Sequence, residues 1–193
     1  MPGKPSGGRK KAAKRVRSRK TAQGDRTVPI GVHPLTASFL PKHLVVTGYV
    51  VDSGRVLLLM HGKLKRWLPP GGHVESTEDP LRALVREIWE ETGLLVAPID
   101  MGDRSGSEEG VNVLPTPHHL QVETIDGKHE HIDMVYFCTR LDGTLKGNAE
   151  SREVRWFSRE DLGRFPLGKN VKHYAEIALV VASYPDALAG YPK

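Results

Sequence analysis

The sequence predicts one globular domain of the mixed α/β class, preceded by a basic N-terminal segment. Apolar runs of strand length alternate with two stretches of helical period, and glycine, proline and aspartate separate them. With 193 residues and 38% hydrophobic content, the chain is long enough to bury a core and too short for two ordinary domains.

The first predicted elements form a β-hairpin. Residues 43–51 and 55–61 are apolar runs, and Asp52-Ser53-Gly54 between them has the composition of a tight turn. Residues 69–72, Pro-Pro-Gly-Gly, then predict a loop in which glycine lets the backbone approach a ligand closely.

A helix is predicted over about residues 80–92. Asp79 can cap it, Pro80 suits its first position, and Gly93 suits the left-handed position after its end. At about 100° per residue, the side chains divide into two arcs. The apolar arc contains Leu81, Leu84, Val85 and Ile88, and the charged arc contains Arg86, Glu87, Glu90 and Glu91. One face is expected to pack and the other to carry chemistry.

The same signals continue along the rest of the chain. Further strands are predicted at residues 94–98, 118–124, 129–141 and 152–157. The two middle strands turn at Asp126-Gly127, and residues 100–117 are rich in loop-forming residues. Asp161 begins a predicted turn, and residues 170–183 form a final helix.

The three glutamates of the charged arc require an explanation. Glu87, Glu90 and Glu91 are helical neighbours, and like charges at this spacing repel by about 0.2–0.5 kcal/mol per pair. A bound divalent cation would turn this repulsion into attraction, although charge clusters alone more often only solvate a helix face.

Nine residues in this part of the chain resemble the signature of a known family. They match every specified position of the Nudix box: Gly72, Glu78, Arg86, Glu87, Ile88, Glu90, Glu91, Gly93 and Leu94. By this resemblance the chain is identified as a Nudix hydrolase, which implies an α/β/α sandwich with a mixed sheet over roughly residues 40–183. Thr77 departs from the glycine that many members have before the box glutamate.

The resemblance implies that Glu87, Glu90 and Glu91 are the principal ligands of Mg²⁺ or Mn²⁺, with the Gly71 carbonyl as a further ligand. Oxygen donors suit these hard cations. The implied reaction is attack of water on a phosphorus of a diphosphate linkage. Which phosphorus is attacked stays open.

The resemblance also implies structural roles. Arg86 and Glu78 would form an ion pair that holds the loop against the helix, and Gly72 and Gly93 would serve backbone geometry.

A carboxylate must accept the proton of the attacking water, and members of the family differ in where it lies. Glu87 is the candidate within the box. Glu150 and Glu153 are the candidates for a loop position near the end of the sheet, and Glu153 is included in the predicted catalytic set.

His129, His131 and Asp133 share one face of a predicted strand. They could contact the substrate, form a plain polar face, or ligate a second metal. His118 and His119 have no evident partner and are interpreted as surface residues.

Residues 67–75 resemble small bacterial hydrolases of nucleoside di- and triphosphates. These nucleotides are therefore the favoured substrates, and the predicted function also includes other nucleoside diphosphate derivatives. Two alternatives remain. One is removal of a 5′ pyrophosphate or cap from RNA, and the other is a nucleotide-sensing module that does not hydrolyse.

Charge is unevenly distributed. Residues 1–26 contain ten Lys or Arg and one Asp, a net charge of +9, whereas the remainder contains 18 basic and 22 acidic residues. We therefore expect a disordered basic tail, residues 1–27, and a catalytic domain, residues 28–193. The tail is interpreted as a solvated segment, a nonspecific contact to nucleic-acid phosphates, or a transit peptide.

The single Cys138 lies in an apolar run and predicts a buried strand thiol. No apolar stretch reaches the roughly 18 residues that span a membrane. No hydrophobic signal core follows the start, so a cytoplasmic location without membrane contact is expected.

Overall fold

The computed structural model describes residues 40–100, 102, 105–147 and 151–184. The predicted tail and Glu150 lie outside these residues. The strands are β1 (Lys42–Asp52), β2 (Arg55–His61), β3 (Arg66–Leu68), β4 (Gly71–His73), β5 (Leu94–Pro98), β6 (His119–Ile125), β7 (His129–Gly143) and β8 (Ser151–Phe157). The helices are α1 (Pro80–Thr92), α2 (Arg159–Arg164) and α3 (Lys169–Ala182).

The strands form one mixed sheet, as the sequence predicts. Its main path runs β3-β2-β1-β7-β5, with β4 paired to β1, β6 to β7 and β8 to β2. Strands β1 and β7 are parallel, with His43 opposite His131 and Val45 opposite Asp133, and the other pairs are antiparallel. The parallel pair brings two distant parts of the chain together at the centre of the sheet.

The predicted hairpin is confirmed. Asp52 pairs with Arg55 across the turn, and Ser53 and Gly54 have φ angles of 51° and 69°. Two successive positive φ values are the geometry of a type I′ turn, whose twist matches that of the flanking strands.

The predicted helix over residues 80–92 is also confirmed. The Asp79 carboxylate accepts a hydrogen bond from the Arg82 amide at 2.9 Å, and Gly93 ends the helix with a φ of 69°. Leu84 and Ile88 are fully buried. The helix lies close to β1, because a Cβ added to Gly48 would lie 2.6 Å from Ile88 Cδ1.

Two predictions about local structure are wrong. The Pro69–Gly72 segment is not all loop, since β4 begins at Gly71 and pairs with β1. The turn expected at Asp161 is helix α2, which begins with a capping box in which the Ser158 amide donates to Asp161 Oδ2 at 3.0 Å. Short elements of this kind depend on partners and caps more than on periodicity.

Two apolar clusters lie on the two faces of the sheet. One includes Tyr49, Phe137 and Phe157 with residues of α2 and α3, and the other includes Leu84 and Ile88 of α1. Cys138 is fully buried within the second cluster, as predicted, and burial raises the pKa of its thiol.

Within the part of the chain that the structure describes, no helix is long and apolar enough to cross a membrane.

Candidate active site

A cleft of about 590 Å³ opens between the second half of α1 and one face of the sheet. Glu87 and Glu91 line one wall together with Gly71 and Gly72, whereas Asp133 belongs to the wall formed by β6 and β7. A volume of this size is typical of a small-molecule site.

Arg86 organises the loop before the helix. Its Nε and Nη2 atoms donate to the two carboxylate oxygens of Glu78 at 3.1 and 2.6 Å, and Nη2 also donates to the His73 carbonyl at 3.1 Å. Glu78 in turn accepts from the Glu75 amide at 2.9 Å. These hydrogen bonds hold the pKa of Glu78 below its usual value, with the Arg86 side chain as the main cause. The ion pair predicted between Arg86 and Glu78 is thus present.

The same arginine orients two of the three clustered glutamates. Its Nη1 atom donates to Glu87 Oε1 at 2.9 Å and to Glu90 Oε2 at 3.3 Å. Glu91 is oriented separately, because its Oε2 atom accepts from the Gly71 amide at 2.9 Å. Burial raises the pKa of Glu87, and the Arg86 side chain opposes this effect. Glu90 lies at the exposed rim, with 56% of its side chain accessible.

Gly71 and Gly72, the two glycines of β4, allow close approach of backbone and carboxylates. A Cβ on Gly71, whose φ is +155°, would lie 2.2 Å from the Val46 carbonyl oxygen. A Cβ on Gly72 would lie 2.4 Å from the Glu87 carboxylate. No side chain fits at either position without displacing these groups.

The donor set of this wall fits a hard divalent cation. Three carboxylates, those of Glu78, Glu87 and Glu90, contact the guanidinium of Arg86, and that of Glu91 accepts from the Gly71 amide beside them. Carboxylate oxygens are the ligands that Mg²⁺ and Mn²⁺ prefer, and a bound cation would offset the excess negative charge.

The opposite wall is built from the sheet. Asp133 is buried, and its Oδ2 atom accepts from Gln121 Nε2 at 2.9 Å. Gln121 Oε1 accepts from Asn170 Nδ2 at 3.0 Å and from the Tyr174 hydroxyl at 3.2 Å, which connects this wall to α3. Burial raises the pKa of Asp133, while hydrogen bonds from Gln121 and Thr47 lower it.

Four histidines meet at the end of this wall, and we refer to them as the histidine cluster: His43, His73, His129 and His131. His131 and His73 line the cleft. Burial and the neighbouring imidazoles lower the pKa of His131. Of the four, only His129 and His131 were predicted from the sequence as site residues, because His43 and His73 join them through pairing between distant strands.

Three sequence expectations concern residues outside this arrangement. Glu153 is exposed on β8 and is not among the residues that line the cleft, so its catalytic role remains a prediction. The interpretation of His118 and His119 as surface residues is wrong. His118 Nδ1 accepts from the Phe137 amide at 3.2 Å, and burial lowers the pKa of His118 to about 4. His119 packs against Tyr174, with ring centroids 4.4 Å apart.

Comparison with known proteins identifies the family. A model of the NUDIX domain matches residues 41–178. The chain belongs to the Nudix family. A NUDIX-family hydrolase from Clostridium perfringens has a TM-score of 0.68 and 33% identity, and the match covers 74% of this chain and 99% of that one.

Two curated Nudix relatives illustrate the activities in the family. A putative 8-oxo-dGTP diphosphatase of Mycobacterium tuberculosis is 33% identical over 101 residues, which cover 50% of this chain and 72% of that protein. An RNA pyrophosphohydrolase of Brucella anthropi is 29% identical over 98 residues, which cover 49% of this chain and 53% of that protein. The fold class and the enzyme class predicted from the Nudix box, a pyrophosphohydrolase, are confirmed.

Proposed function

We propose that the chain hydrolyses the diphosphate linkage of a nucleoside di- or triphosphate with the help of Mg²⁺ or Mn²⁺. The main support is that Glu87, Glu90 and Glu91 lie together on one helix beside the cleft, where Arg86 contacts Glu87 and Glu90 and the Gly71 amide donates to Glu91. These carboxylates, with the Gly71 carbonyl as a further donor, would hold the cation.

A cation bound there would neutralise charge on the diphosphate and lower the pKa of a water molecule. Other residues of the chain position these carboxylates. Arg86 fixes Glu87 and Glu90, and the Gly71 amide fixes Glu91, so the carboxylates do not have to be ordered when the substrate arrives.

Glu87 is the proposed proton acceptor, because its carboxylate lines the cleft and its side chain is only 18% exposed. Glu153 is the competing candidate. A comparison of Glu87→Gln with Glu153→Gln decides between them, since the variant that lacks the acceptor should lose turnover and its pH dependence together. Equal activity of Glu87→Gln and the wild type would reject Glu87.

The sheet wall is the proposed recognition surface. The Asp133 carboxyl lines the cleft and offers an acceptor to a base or sugar, and Gln121, whose amide is bonded to Glu123, Asp133, Asn170 and Tyr174, holds that carboxyl in place. The similarity to a putative 8-oxo-dGTP diphosphatase and the resemblance of residues 67–75 to small nucleotide hydrolases support a nucleoside triphosphate as substrate.

The test is release of phosphate and pyrophosphate from a panel of nucleotides, sugar nucleotides, dinucleotides and 5′-triphosphorylated RNA, with Mg²⁺ and with Mn²⁺. We expect turnover of nucleoside di- or triphosphates that chelation abolishes. Binding of a nucleotide without turnover in either metal would instead support the sensing module.

The second candidate is RNA 5′-pyrophosphate or cap removal, favoured by the similarity to an RNA pyrophosphohydrolase and by the +9 charge of residues 1–26. Under this alternative, residues 1–27 are a separate tail that attracts the RNA backbone, and residues 28–193 carry the chemistry. Hydrolysis of triphosphorylated RNA in preference to free nucleotides would establish it.

A further inference from the structure

We propose that the histidine cluster binds a transition-metal ion of the Zn²⁺ class at the rim of the cleft. This site is separate from the carboxylate wall in its residues and in its chemistry. Imidazole nitrogen suits Zn²⁺, Ni²⁺ and Cu²⁺, whereas Mg²⁺ and Mn²⁺ prefer oxygen. The proposal goes beyond the hydrolytic function and does not depend on it.

The first argument is the spacing of the ring nitrogens. One ring nitrogen from each of His43, His129 and His131 lies within 4.8 Å of the other two. The Nε2 atoms of His129 and His131 are 3.2 Å apart. Two nitrogens bound to one tetrahedral Zn²⁺ at about 2.1 Å are separated by about 3.4 Å, so this pair already has the spacing of two ligands.

The second argument is the backbone that carries them. His129 and His131 are alternate residues of β7 and therefore face the same side of the sheet. His43 lies opposite His131 in the parallel pairing of β1 and β7. Three imidazoles are thus presented by adjacent, hydrogen-bonded strands, which hold their Cα positions without a metal.

A fourth imidazole, that of His73, lies beside these three. The His73 ring lies 5.0 Å from that of His131 and 5.4 Å from that of His43, measured between centroids. Its backbone is held in place because its carbonyl accepts from Arg86 and its residue pairs with Val45. His43 and His73 are exposed, so their rings have room to rotate toward a shared metal ion.

The cationic side chain on β1 next to His43 does not face the histidine cluster. Lys42 precedes His43 but projects to the other face of the strand, where its Nζ atom pairs with Glu130 at 2.7 Å. Four close imidazoles repel each other when protonated, and a metal ion replaces that repulsion with shared coordination to neutral rings.

The test is titration of the full-length, untagged chain with Zn²⁺ after removal of bound metals. Excess Mg²⁺ is present throughout so that the carboxylate wall is occupied. We expect about one equivalent of Zn²⁺ to bind in calorimetry, and Co²⁺ in its place to give a tetrahedral visible spectrum. In the wild-type chain, the NMR signals of the clustered imidazoles should shift together as Zn²⁺ is added and should stop shifting at one equivalent of Zn²⁺.

Variants assign the site. His129→Ala and His43→Ala should each weaken Zn²⁺ binding by at least about 100-fold, since even the loss of an outer-shell partner costs about 10- to 100-fold. His173→Ala, an exposed histidine of α3, is the matched control and should bind as the wild type. Glu91→Gln should lose turnover and keep the Zn²⁺ site, which separates this proposal from the hydrolytic one.

Three outcomes would overturn the proposal. The first is that no Zn²⁺ binds in the presence of Mg²⁺. The second is that His129→Ala keeps the wild-type Zn²⁺ affinity and that the imidazole signals of the wild type do not shift. The third is that Glu91→Gln alone loses Zn²⁺ binding. The last result would place the zinc on the carboxylates.

Discussion

The two walls of the cleft are built in opposite ways. The helix wall takes its functional groups from one continuous segment, residues 71–91, and each carboxylate has a fixed partner in Arg86 or Gly71. The sheet wall draws Gln121, Asp133 and the histidine cluster from strands β1, β4, β6 and β7. The groups proposed for catalysis are therefore encoded locally, whereas the groups proposed for recognition are brought together by the topology of the sheet.

The largest expected effect tests the helix wall. Glu90→Gln and Glu91→Gln should each fold normally but lose at least about 100-fold in turnover, about 2.7 kcal/mol, because a charged oxygen donor is removed while the shape is preserved. Steady-state kinetics with saturating Mg²⁺, and circular dichroism, measure the two properties. Glu160→Gln, which removes an exposed partner of Arg164 on α2, is the control. Near-wild-type rates in both box variants would reject the ligand assignment.

The next largest effect is expected from Arg86, which contacts three carboxylates of the helix wall. Arg86→Ala should lower the free energy of unfolding by about 2–3 kcal/mol and reduce turnover, because it leaves the mostly buried Glu78 without its bidentate partner. Arg164→Ala breaks an exposed pair and should cost about 0–1 kcal/mol. Chemical denaturation measures both. Equal stabilities of the two variants would show that Arg86 does not hold the loop.

A pH-dependent effect on stability is expected from His118, which lies immediately before β6. Burial, with a smaller contribution from His119, lowers the pKa of His118 to about 4 from 6.5. Between these values the unfolded chain binds a proton that the folded chain does not. The free energy of unfolding should therefore fall by about 1–3 kcal/mol as the pH is lowered through this interval, and level off below it.

His118→Gln should remove this part of the pH dependence, while His173→Gln, at an exposed position, should retain it. Denaturation at several pH values provides the measurement. Parallel stability curves for His118→Gln and the wild type would contradict the assignment.

A smaller effect, on substrate affinity, would test whether the sheet wall recognises the nucleotide. Asp133→Asn keeps the size of the side chain but changes its hydrogen-bonding pattern toward Gln121 and the cleft. We expect KM for the preferred nucleotide to rise about tenfold, about 1.4 kcal/mol, with little change in kcat. A fall in kcat at constant KM would instead move Asp133 from recognition to chemistry.

No effect on free nucleotides is expected from the tail. Deletion of residues 1–26 removes a charge of +9 and leaves the segment that carries the box intact. If the tail recruits RNA, the intact chain should show log affinity for RNA falling linearly with log salt, and the deletion should weaken binding at low salt. If it only solvates the chain, neither effect should occur. A folded but inactive truncation would show that the catalytic domain begins earlier than proposed.

The sequence predicted the helix wall well, because its signals are local. Asp79, Pro80 and Gly93 mark the ends of α1 by their own backbone preferences, and the box spacing brings its glutamates together on one helix. The sheet wall was predicted only in part. His43 and His73 reach His131 through strand pairing, which no local pattern encodes. Helix α2 was missed because Asp161 occupies the capping-box position that Glu or Gln usually signals.

The parallel pairing of β1 with β7 also has a consequence for the order of folding. The partners in this register, from Lys42 and Glu130 to Val51 and Thr139, are 88 positions apart, so a long loop must close before the pair forms. The Arg86 contacts with Glu78 and His73 span 8 and 13 positions and require far less closure. We therefore expect the box segment to gain structure early, and the histidine cluster to assemble only when the centre of the sheet closes.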